Sequence, residues 1–315
     1  MRESKTNFES FESIILAIIM SVFILFSIYF FTILLFIVPV PFIIYGIKSD
    51  LKSGLLSLLA SLLTVGIILE PTMSLLLLLI YGPFTGLNIY LIQKRYSALK
   101  VVAYSATLLF LSSMILYGIM NMRGLDIITQ LKENFSQSLV LQMDLLEEAG
   151  LTTHELLIQR DTLRSTFETV LMIIPAISII SMSIWSYINY SLTRLGLNKI
   201  GISIITLPRF YRFRLPDNFA IGTLVMVLTA FIIRWMNIPY ADSVYLNIIV
   251  LIGAILFVQG LAVIEHFLLI RIKAKRIIKV LAYIIIFMSP RFFFGISILG
   301  TLDLIFDLRK IRRAK

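Results

Sequence analysis

The chain contains no cysteine and only two histidines among its 315 residues. Without cysteine there can be no disulfide and no thiolate metal site. The two histidines, His154 and His266, lie far apart and show no ligand spacing. A phosphate-binding loop, a dinucleotide-binding turn and an HExxH helix are also missing. These absences predict no cofactor and no metal, and we expect a protein that is not an enzyme.

Charged residues are scarce as well, at 15% of the chain, whereas 59% of the residues are hydrophobic. A soluble protein is closer to half apolar and a quarter charged. Several apolar runs reach the roughly 20 residues that a helix needs to cross the hydrocarbon of a bilayer. The composition therefore predicts an all-α fold, a polytopic transmembrane helix bundle.

Eight apolar segments predict the membrane helices of this bundle. We place five of them at about 14–29, 32–47, 54–69, 72–93 and 101–120. The sixth continues from the end of the polar segment 121–166 to about 192, with a kink predicted at Pro175, and the last two lie at about 219–236 and 244–270. A further apolar stretch, 280–302, has about 23 residues, which is enough for one crossing at 1.5 Å per residue and too little for two. It predicts a re-entrant or in-plane pair that turns at Ser289-Pro290-Arg291, with a single crossing as the alternative.

The polar segment 121–166 predicts a helical hairpin outside the hydrocarbon. Apolar residues recur in it at the spacing of three or four that marks one face of a helix: Ile128, Leu131, Phe135, Leu139 and Leu146. Gly150 ends this helix, and Thr152 with Glu155 three residues later forms a capping-box pattern. The chain thus divides into 1–120 with five membrane helices, the hairpin 121–166, and 167–315 with three helices and the C-terminal segment.

The distribution of charge predicts the orientation of the bundle. Placing the N-terminus in the cytoplasm puts 17 of the 28 lysines and arginines in the inner segments 1–13, 48–53, 94–100, 193–218 and 271–279. The segment 121–166, on the other side, carries more acids than cations. Cytoplasmic loops of membrane proteins are enriched in lysine and arginine. The net charge of +10 therefore reflects orientation and predicts no nucleic-acid partner.

The chain ends in a basic tail, which we expect in the cytoplasm. Arg291 lies in the middle of the last apolar stretch and needs a partner, water or a boundary. Asp303 and Asp307 lie one helical turn apart before the tail, and Arg309 opens it. We interpret these four residues as structural charge anchors. Asp307 can pair with Lys310, and Asp303 can meet the basic loop at Arg212 or Arg214.

That basic loop lies between Pro208 and Pro216 and contains Arg209, Arg212 and Arg214 interleaved with aromatic residues. Aromatic rings and cations together are typical of the interface between bilayer and water. We therefore predict a contact with the lipid bilayer, and with anionic lipids in particular.

Five residues form a hypothetical solute pocket: Glu70, Gly82, Pro83, Gly86 and Arg234. Glu70 and Arg234 share a predicted depth near the outer ends of their helices and could form an ion pair. Gly82, Pro83 and Gly86 would loosen the fourth helix, and broken helices line binding sites in many transporters. The alternative is that the two charges extend to interfacial water and that the glycines and proline form a packing kink without a ligand.

Small residues four apart, Ala17 and Ser21, predict close helix packing in the first helix. Longer stretches carry a family resemblance: "FIVPVPFIIYGIKSDLKSGLL", "YGPFTGLNIYLIQKR", "FRLPDNF", "VQGLAVIEHFL" and "LGTLDLIFDLRK". They resemble the YybS-like family of bacterial polytopic membrane proteins, a domain of unknown function. That family is distantly similar to the substrate-binding subunits of energy-coupling-factor transporters, some of which use small residues at this spacing to contact the energising subunit.

The resemblance implies a bacterial plasma-membrane protein that is related to transport. It would bind a small-molecule solute and need a separate energising partner protein, because the sequence has no nucleotide-binding motif. The alternative is a non-transporting scaffold or regulatory subunit. Such a subunit would recruit partners through the 121–166 hairpin or the basic cytoplasmic face.

Overall fold

The computed structural model describes residues 2–216, 218–236, 238–272, 275–289 and 291–310, and within them all regular secondary structure is helical. The helices are α1 (Arg2–Tyr29), α2 (Pro39–Lys48), α3 (Leu51–Ile68), α4 (Pro71–Gln93), α5 (Ala98–Met122), α6 (Ile127–Glu148), α7 (Thr153–Met172), α8 (Ile174–Lys199), α9 (Phe219–Trp235), α10 (Ala241–His266), α11 (Arg276–Met288) and α12 (Arg291–Phe306). Two 3-10 segments, Thr32–Ile37 and Phe210–Arg212, and a π-helical turn, Phe267–Arg271, accompany them. The all-α prediction is confirmed.

The described helices include five that are long and apolar enough to cross a membrane, or up to seven if two bent pairs each count as one span. The five are Phe11–Tyr29, α3, α4, α5 and Ala241–Ile270, and the bent pairs are α7 with α8 and α11 with α12. The predicted segments 32–47 and 219–236 appear as shorter apolar helices, at Thr32–Lys48 and Phe219–Trp235. All eight predicted apolar segments are thus helical, and the polytopic bundle is confirmed.

The chain forms two compact units. The first consists of residues 1–156 and 181–207, and the second consists of residues 157–180 and 208–315. The division predicted from the sequence follows polar and apolar composition, so it stays a prediction about which segments lie in the membrane.

In the first unit, α1 packs on α3 through small residues. Ala17 and Ser21 are both buried. The Ser21 hydroxyl donates to Ala17 O at 2.6 Å and lies 3.2 Å from Ser61 O, and the hydroxyls of Ser13 and Ser57 are 2.6 Å apart. Small polar residues allow helices to approach closely and hydrogen-bond within a bilayer. The predicted packing residues therefore lie at a contact within the chain.

The 3-10 segment Thr32–Ile37 interrupts the helical path before α2. Tyr81 Oη donates to Leu35 O at 3.0 Å, and Trp185 Nε1 and Asn189 Nδ2 both donate to Phe36 O, at 2.6 and 2.7 Å. In lipid, each backbone polar group needs a partner within the protein. Side chains of α4 and α8 therefore stabilise the irregular backbone of this segment.

In the second unit, α10 and α12 contact each other backbone to backbone. A Cβ atom added at Gly260 would lie 2.0 Å from Ile296 O, and one at Gly300 would lie 2.0 Å from Leu256 O. The Ser297 hydroxyl also lies 3.2 Å from Gly253 O. Only glycine fits at the two closest points, because any side chain there would collide with a carbonyl group.

The last apolar stretch is bent at the predicted turn. The axes of α11 and α12 differ by 113° across Ser289 and residue 290. Pro290 itself lies outside the described residues, and Arg291 is the exposed first residue of α12. The predicted break is confirmed, whereas the choice between a re-entrant pair and a single crossing stays a prediction.

The polar segment forms two helices, as predicted. Gly150 has a φ of +90°, a left-handed conformation that glycine adopts without strain, and it ends α6. At the start of α7, Thr152 N–H donates to Glu155 Oε2 at 2.8 Å and Glu155 N–H donates to Thr152 Oγ1 at 3.4 Å. These reciprocal bonds are the predicted capping box. α6 itself has no buried residue.

Candidate functional site

The helical path breaks between α7 and α8, whose axes are bent by 59°. Pro175 lies at this break, where its ring and its missing N–H are incompatible with a continuous helix. In a continuous helix, Ala176 N–H would donate to Met172 O. Here the side-chain amide of Asn247 stands between them: its Oδ1 accepts from Ala176 N at 2.7 Å, and its Nδ2 donates to Met172 O at 2.7 Å. The side chain of one α10 residue thus replaces one backbone hydrogen bond of the helix.

A second residue of α10 supports the same break. Ser243, one turn before Asn247, donates its hydroxyl to Met172 O at 2.9 Å, and Asn247 Nδ2 also lies 2.7 Å from Ser243 O. The sequence carried a signal for this arrangement that our prediction missed. A serine and an asparagine four apart in an apolar membrane helix are costly to bury unless they hydrogen-bond.

A cavity of about 610 Å³ opens beside the break. Ligand pockets in proteins usually have roughly 300–1,000 Å³. The wall combines the broken end of α7, the end of α9, the connection to α10 and the first residues of α10. Its lining residues are Met172, Arg234, Ile238, Tyr240, Ala241, Asp242 and Ser243. The cavity therefore has the size, the irregular backbone and the mixed apolar and charged lining of a small-molecule site.

The two charges in this lining form an ion pair. Arg234 Nε lies 2.8 Å from Asp242 Oδ1, and the two side chains are 54% and 65% exposed. The guanidinium group also lies 5.2 Å from the ring centroid of Tyr245, within the range of a cation–π contact. Tyr240 has a φ of +65° directly before α10, which is a strained conformation for a tyrosine. Residues in strained conformations cluster at functional sites.

The residues of the predicted solute pocket are divided between the two units. Arg234 lines the cavity in the second unit. Glu70, Gly82, Pro83 and Gly86 belong to the first unit, where Glu70 occupies the N-cap position of α4 without a side-chain capping hydrogen bond and the other three lie inside the helix. α4 continues through Pro83, and a Cβ atom at Gly86 would meet Leu55 at 3.6 Å. Of the five residues, only Arg234 is part of the cavity described above.

A buried charge network lies elsewhere in the second unit. Asp303 and Arg309 are 4% and 6% exposed, and Arg309 Nη2 lies 2.8 Å from Asp303 Oδ2. Gln259 of α10 donates from Nε2 to the same Asp303 oxygen at 2.6 Å. Buried ion pairs are tolerated when further hydrogen bonds satisfy both groups. In this network, the buried carboxylate of Asp303 has both the Arg309 guanidinium and the Gln259 amide as partners.

The same network binds the backbone of the basic loop. Arg309 Nη1 donates to Tyr211 O at 2.9 Å, and Gln259 Oε1 accepts from Leu215 N at 3.2 Å. We predicted that Asp303 would meet this loop through Arg212 or Arg214. The structure pairs it with Arg309, which reaches back because the chain turns at Asp307, whose φ angle of +50° is left-handed. Lys310 is linked to Asp307 through a backbone hydrogen bond of 2.8 Å.

Two of the three arginine side chains of the loop lie on its surface. Arg209 and Arg212 are exposed and Arg214 is partly buried. Arg209 Nη1 lies 3.4 Å from the Tyr211 hydroxyl, and the Arg212 guanidinium lies 5.5 Å from the Tyr211 ring centroid. The hydrogen bond from Arg209 lowers the pKa of the Tyr211 phenol from its usual range. The loop thus presents a cationic surface on a backbone that is held from inside the unit.

These features define a multi-pass helical membrane protein with one cavity-lining helix break and one buried charge network among its described residues. The chain belongs to the family described as "Predicted membrane protein (DUF2232)", which matches residues 14–304. It is 24% identical over 293 residues to "Uncharacterized protein YybS" of Bacillus subtilis (strain 168), with 88% of this chain and 89% of that protein covered. No solved structure matches it. The YybS-like resemblance is confirmed, and the likeness to energy-coupling-factor subunits stays a prediction.

Proposed function

We propose that the protein is a solute-binding subunit of a transport system in the bacterial plasma membrane. The observation that carries this proposal is the 610 Å³ cavity, which lies against a broken helix and contains an arginine–aspartate pair. Membrane transporters commonly bind solutes where a helix is interrupted, because the interrupted backbone and nearby polar groups can then contact the ligand. With the N-terminus in the cytoplasm, the end of α9 and the start of α10 lie on the outer side. The cavity would then receive solute from outside the cell.

An energising partner is part of this proposal, since the sequence contains no nucleotide-binding motif. The distant resemblance places such a partner on Ala17 and Ser21. Both residues are covered by α3, so a partner has to use another surface. The opposite side of α1 exposes large apolar residues, including Ile14, Ile18 and Val22. No catalytic, cofactor-dependent or nucleic-acid-binding activity is included in the proposal.

Small-molecule mass spectrometry on purified protein tests the proposal. The wild type, purified in mild detergent, should carry a small molecule that the variant Ser243→Phe has lost, because the new ring fills the cavity. Thr107→Phe is the matched control, since Thr107 is exposed on α5 and the same ring is added there. Both variants should elute as folded protein. Identical small-molecule profiles in all three preparations, with only lipid and detergent bound, would refute solute binding at this cavity.

A scaffold or regulatory role is the second candidate function, and one observation favours it. Val140, Leu141 and Leu145 on α6 are 60–66% exposed, although this helix lies in the segment predicted outside the hydrocarbon. Exposed apolar clusters outside lipid often mark protein contacts. A photo-crosslinking residue at Leu141 should then capture a specific protein in cells, and one at Lys132, about half a turn away around α6, should not. Equal or absent protein crosslinking at both positions would contradict this role.

A further inference from the structure

The cavity beside the helix break presents one full positive and one full negative charge. Arg234 comes from the last turn of α9, and Asp242 from the first turn of α10. The guanidinium has five N–H donors and the carboxylate about four acceptor positions. The contact between Nε and Oδ1 does not use all of them, so a ligand can bind both groups without separating the pair.

This pairing selects against ligands that carry a single charge. A lone anion near Arg234 is repelled by Asp242, and a lone cation near Asp242 is repelled by Arg234. A ligand with both charges gains from each residue, and such a combination of attraction and repulsion gives specificity. Because hydrogen bonds between charged groups are the strong ones, the two contacts together would orient the ligand.

The other lining residues suit the uncharged part of such a ligand. Met172, Ile238 and Tyr240 provide an apolar wall, and Ser243 adds a hydroxyl group. The ring of Tyr245, at 5.2 Å from the guanidinium, restricts the orientation of Arg234. We propose that this cavity binds a small zwitterion, in which an anionic group and an ammonium group are separated by a few bonds. The inference rests on the proposed function and specifies its ligand class.

Such a group can belong to a free solute, such as an amino acid, or to the headgroup of phosphatidylethanolamine. Three soluble mixtures distinguish the effect of ligand charge on binding from the effect of ligand size. They are free amino acids, their N-acetyl derivatives, which lack the ammonium group, and their amides, which lack the carboxylate. Each mixture is added to full-length protein in nanodiscs that contain only phosphatidylglycerol. Bound molecules are then measured by native mass spectrometry and by the shift of the unfolding temperature.

We expect free amino acids to bind about tenfold more tightly than either derivative, since each derivative loses one charge-assisted contact. Arg234→Gln should remove the preference over amides, and Asp242→Asn should remove the preference over N-acetyl derivatives. Exposed ion pairs contribute little to stability, so both variants should fold. Arg164→Gln, which removes one partner of the exposed Arg164–Glu168 pair, is the matched control and should leave both preferences unchanged.

The outcomes separate the ligand class from the function. Equal binding of free and derivatised amino acids would overturn the zwitterion class and leave solute binding intact. Binding of phosphatidylethanolamine alone, seen when that lipid replaces half of the phosphatidylglycerol, would support the zwitterion class and refute a free solute. If no mixture binds, and no small molecule is lost from Ser243→Phe, the proposed function and this inference both fail.

Discussion

At the scale of single residues, Asp303 and Arg309 form a buried ion pair after the end of α12. Arg309 Nη2 lies 2.8 Å from Asp303 Oδ2, and its Nη1 donates to Tyr211 O of the basic loop at 2.9 Å. The chain reverses at Asp307, which has a left-handed φ angle of +50°, and this reversal brings Arg309 back to Asp303.

The buried pair makes a stability prediction. Asp303→Asn should destabilise the protein by about 3–5 kcal/mol, because it leaves the Arg309 charge buried without its counter-ion. Thermal unfolding in detergent should show this loss, together with a lower folded yield, while binding at the distant cavity keeps its affinity. The double variant Asp303→Leu with Arg309→Met should recover much of the stability, since an apolar pair leaves no uncompensated charge. An Asp303→Asn protein as stable as the wild type would show that the pair is not closed in solution.

The capping box predicts a dependence on pH. Hydrogen bonds from Thr152 lower the pKa of Glu155 from its ordinary value. A carboxylate with a lowered pKa in the folded state stabilises above its unfolded pKa, about 4.3 for glutamate, and loses this effect as the pH falls through the folded pKa. Glu155→Gln, which resembles the protonated acid, should therefore speed amide exchange in the first turn of α7 at pH 7 and have little effect near pH 3. Thr162→Ala, on the exposed surface of the same helix, should change neither; an equal effect at both pH values would contradict the assignment.

At the scale of elements, the break between α7 and α8 depends on a helix that is remote in sequence. Pro175 predicted a kink, and the 59° bend confirms it. The proline explains why the backbone hydrogen bonds of the helix are interrupted there. It does not explain which groups bond to the backbone N–H and C=O groups that are left without a helical partner. That role belongs to Asn247 and Ser243, which also bring the start of α10 to the cavity wall. The kink was therefore predictable, and the site beside it was not.

Removing this support should loosen the break. Asn247→Ala leaves the buried Ala176 N–H without its acceptor, whereas Met172 O keeps its bond from the Ser243 hydroxyl. One buried unsatisfied group costs about 1–3 kcal/mol. We expect a lower unfolding temperature and faster hydrogen exchange at residues 173–177, measured by mass spectrometry in detergent. Asn198→Ala is the matched control, because Asn198 is exposed at the end of α8. Unchanged exchange in Asn247→Ala would mean that the bridge contributes nothing to the break.

The basic loop makes a prediction about lipids. Arg209, Arg212 and Arg214 lie on a backbone that Arg309 and Gln259 hold in place. Each cation near an anionic surface contributes about 1 kcal/mol, and salt weakens the effect. Replacing all three by glutamine should reduce the phosphatidylglycerol that copurifies, most clearly at low salt. The control replaces Arg123, Arg160 and Arg164, which lie in the segment predicted on the other side; equal lipid loss from both triples would argue against a specific interface.

At the scale of the whole molecule, composition predicts the membrane class and charge predicts the orientation. The helices follow from long apolar runs, which are local and strong signals. The number of crossings does not follow in the same way, because α2 and α9 are short and two helix pairs are bent. Length and hydropathy alone do not distinguish a tilted crossing from a re-entrant pair. For this chain, the number of crossings depends on whether α11 and α12 form one crossing or a re-entrant pair.

A measured location of the C-terminus decides that question. Five cations between Arg309 and Lys315 favour the cytoplasm. The segment 271–279, which ends in the first turn of α11 and contains Lys275 and Lys279, is predicted on the same side. α11 and α12 must therefore together cross twice or not at all. Their 113° bend is incompatible with one straight crossing, and about 23 apolar residues are too few for two. We therefore predict a re-entrant or in-plane pair, whose turn needs protein or water to satisfy its backbone. A fluorescent protein fused after residue 315 should fluoresce, and an alkaline phosphatase fused there should be inactive. An active phosphatase would place the tail outside and make α11–α12 a single, bent crossing.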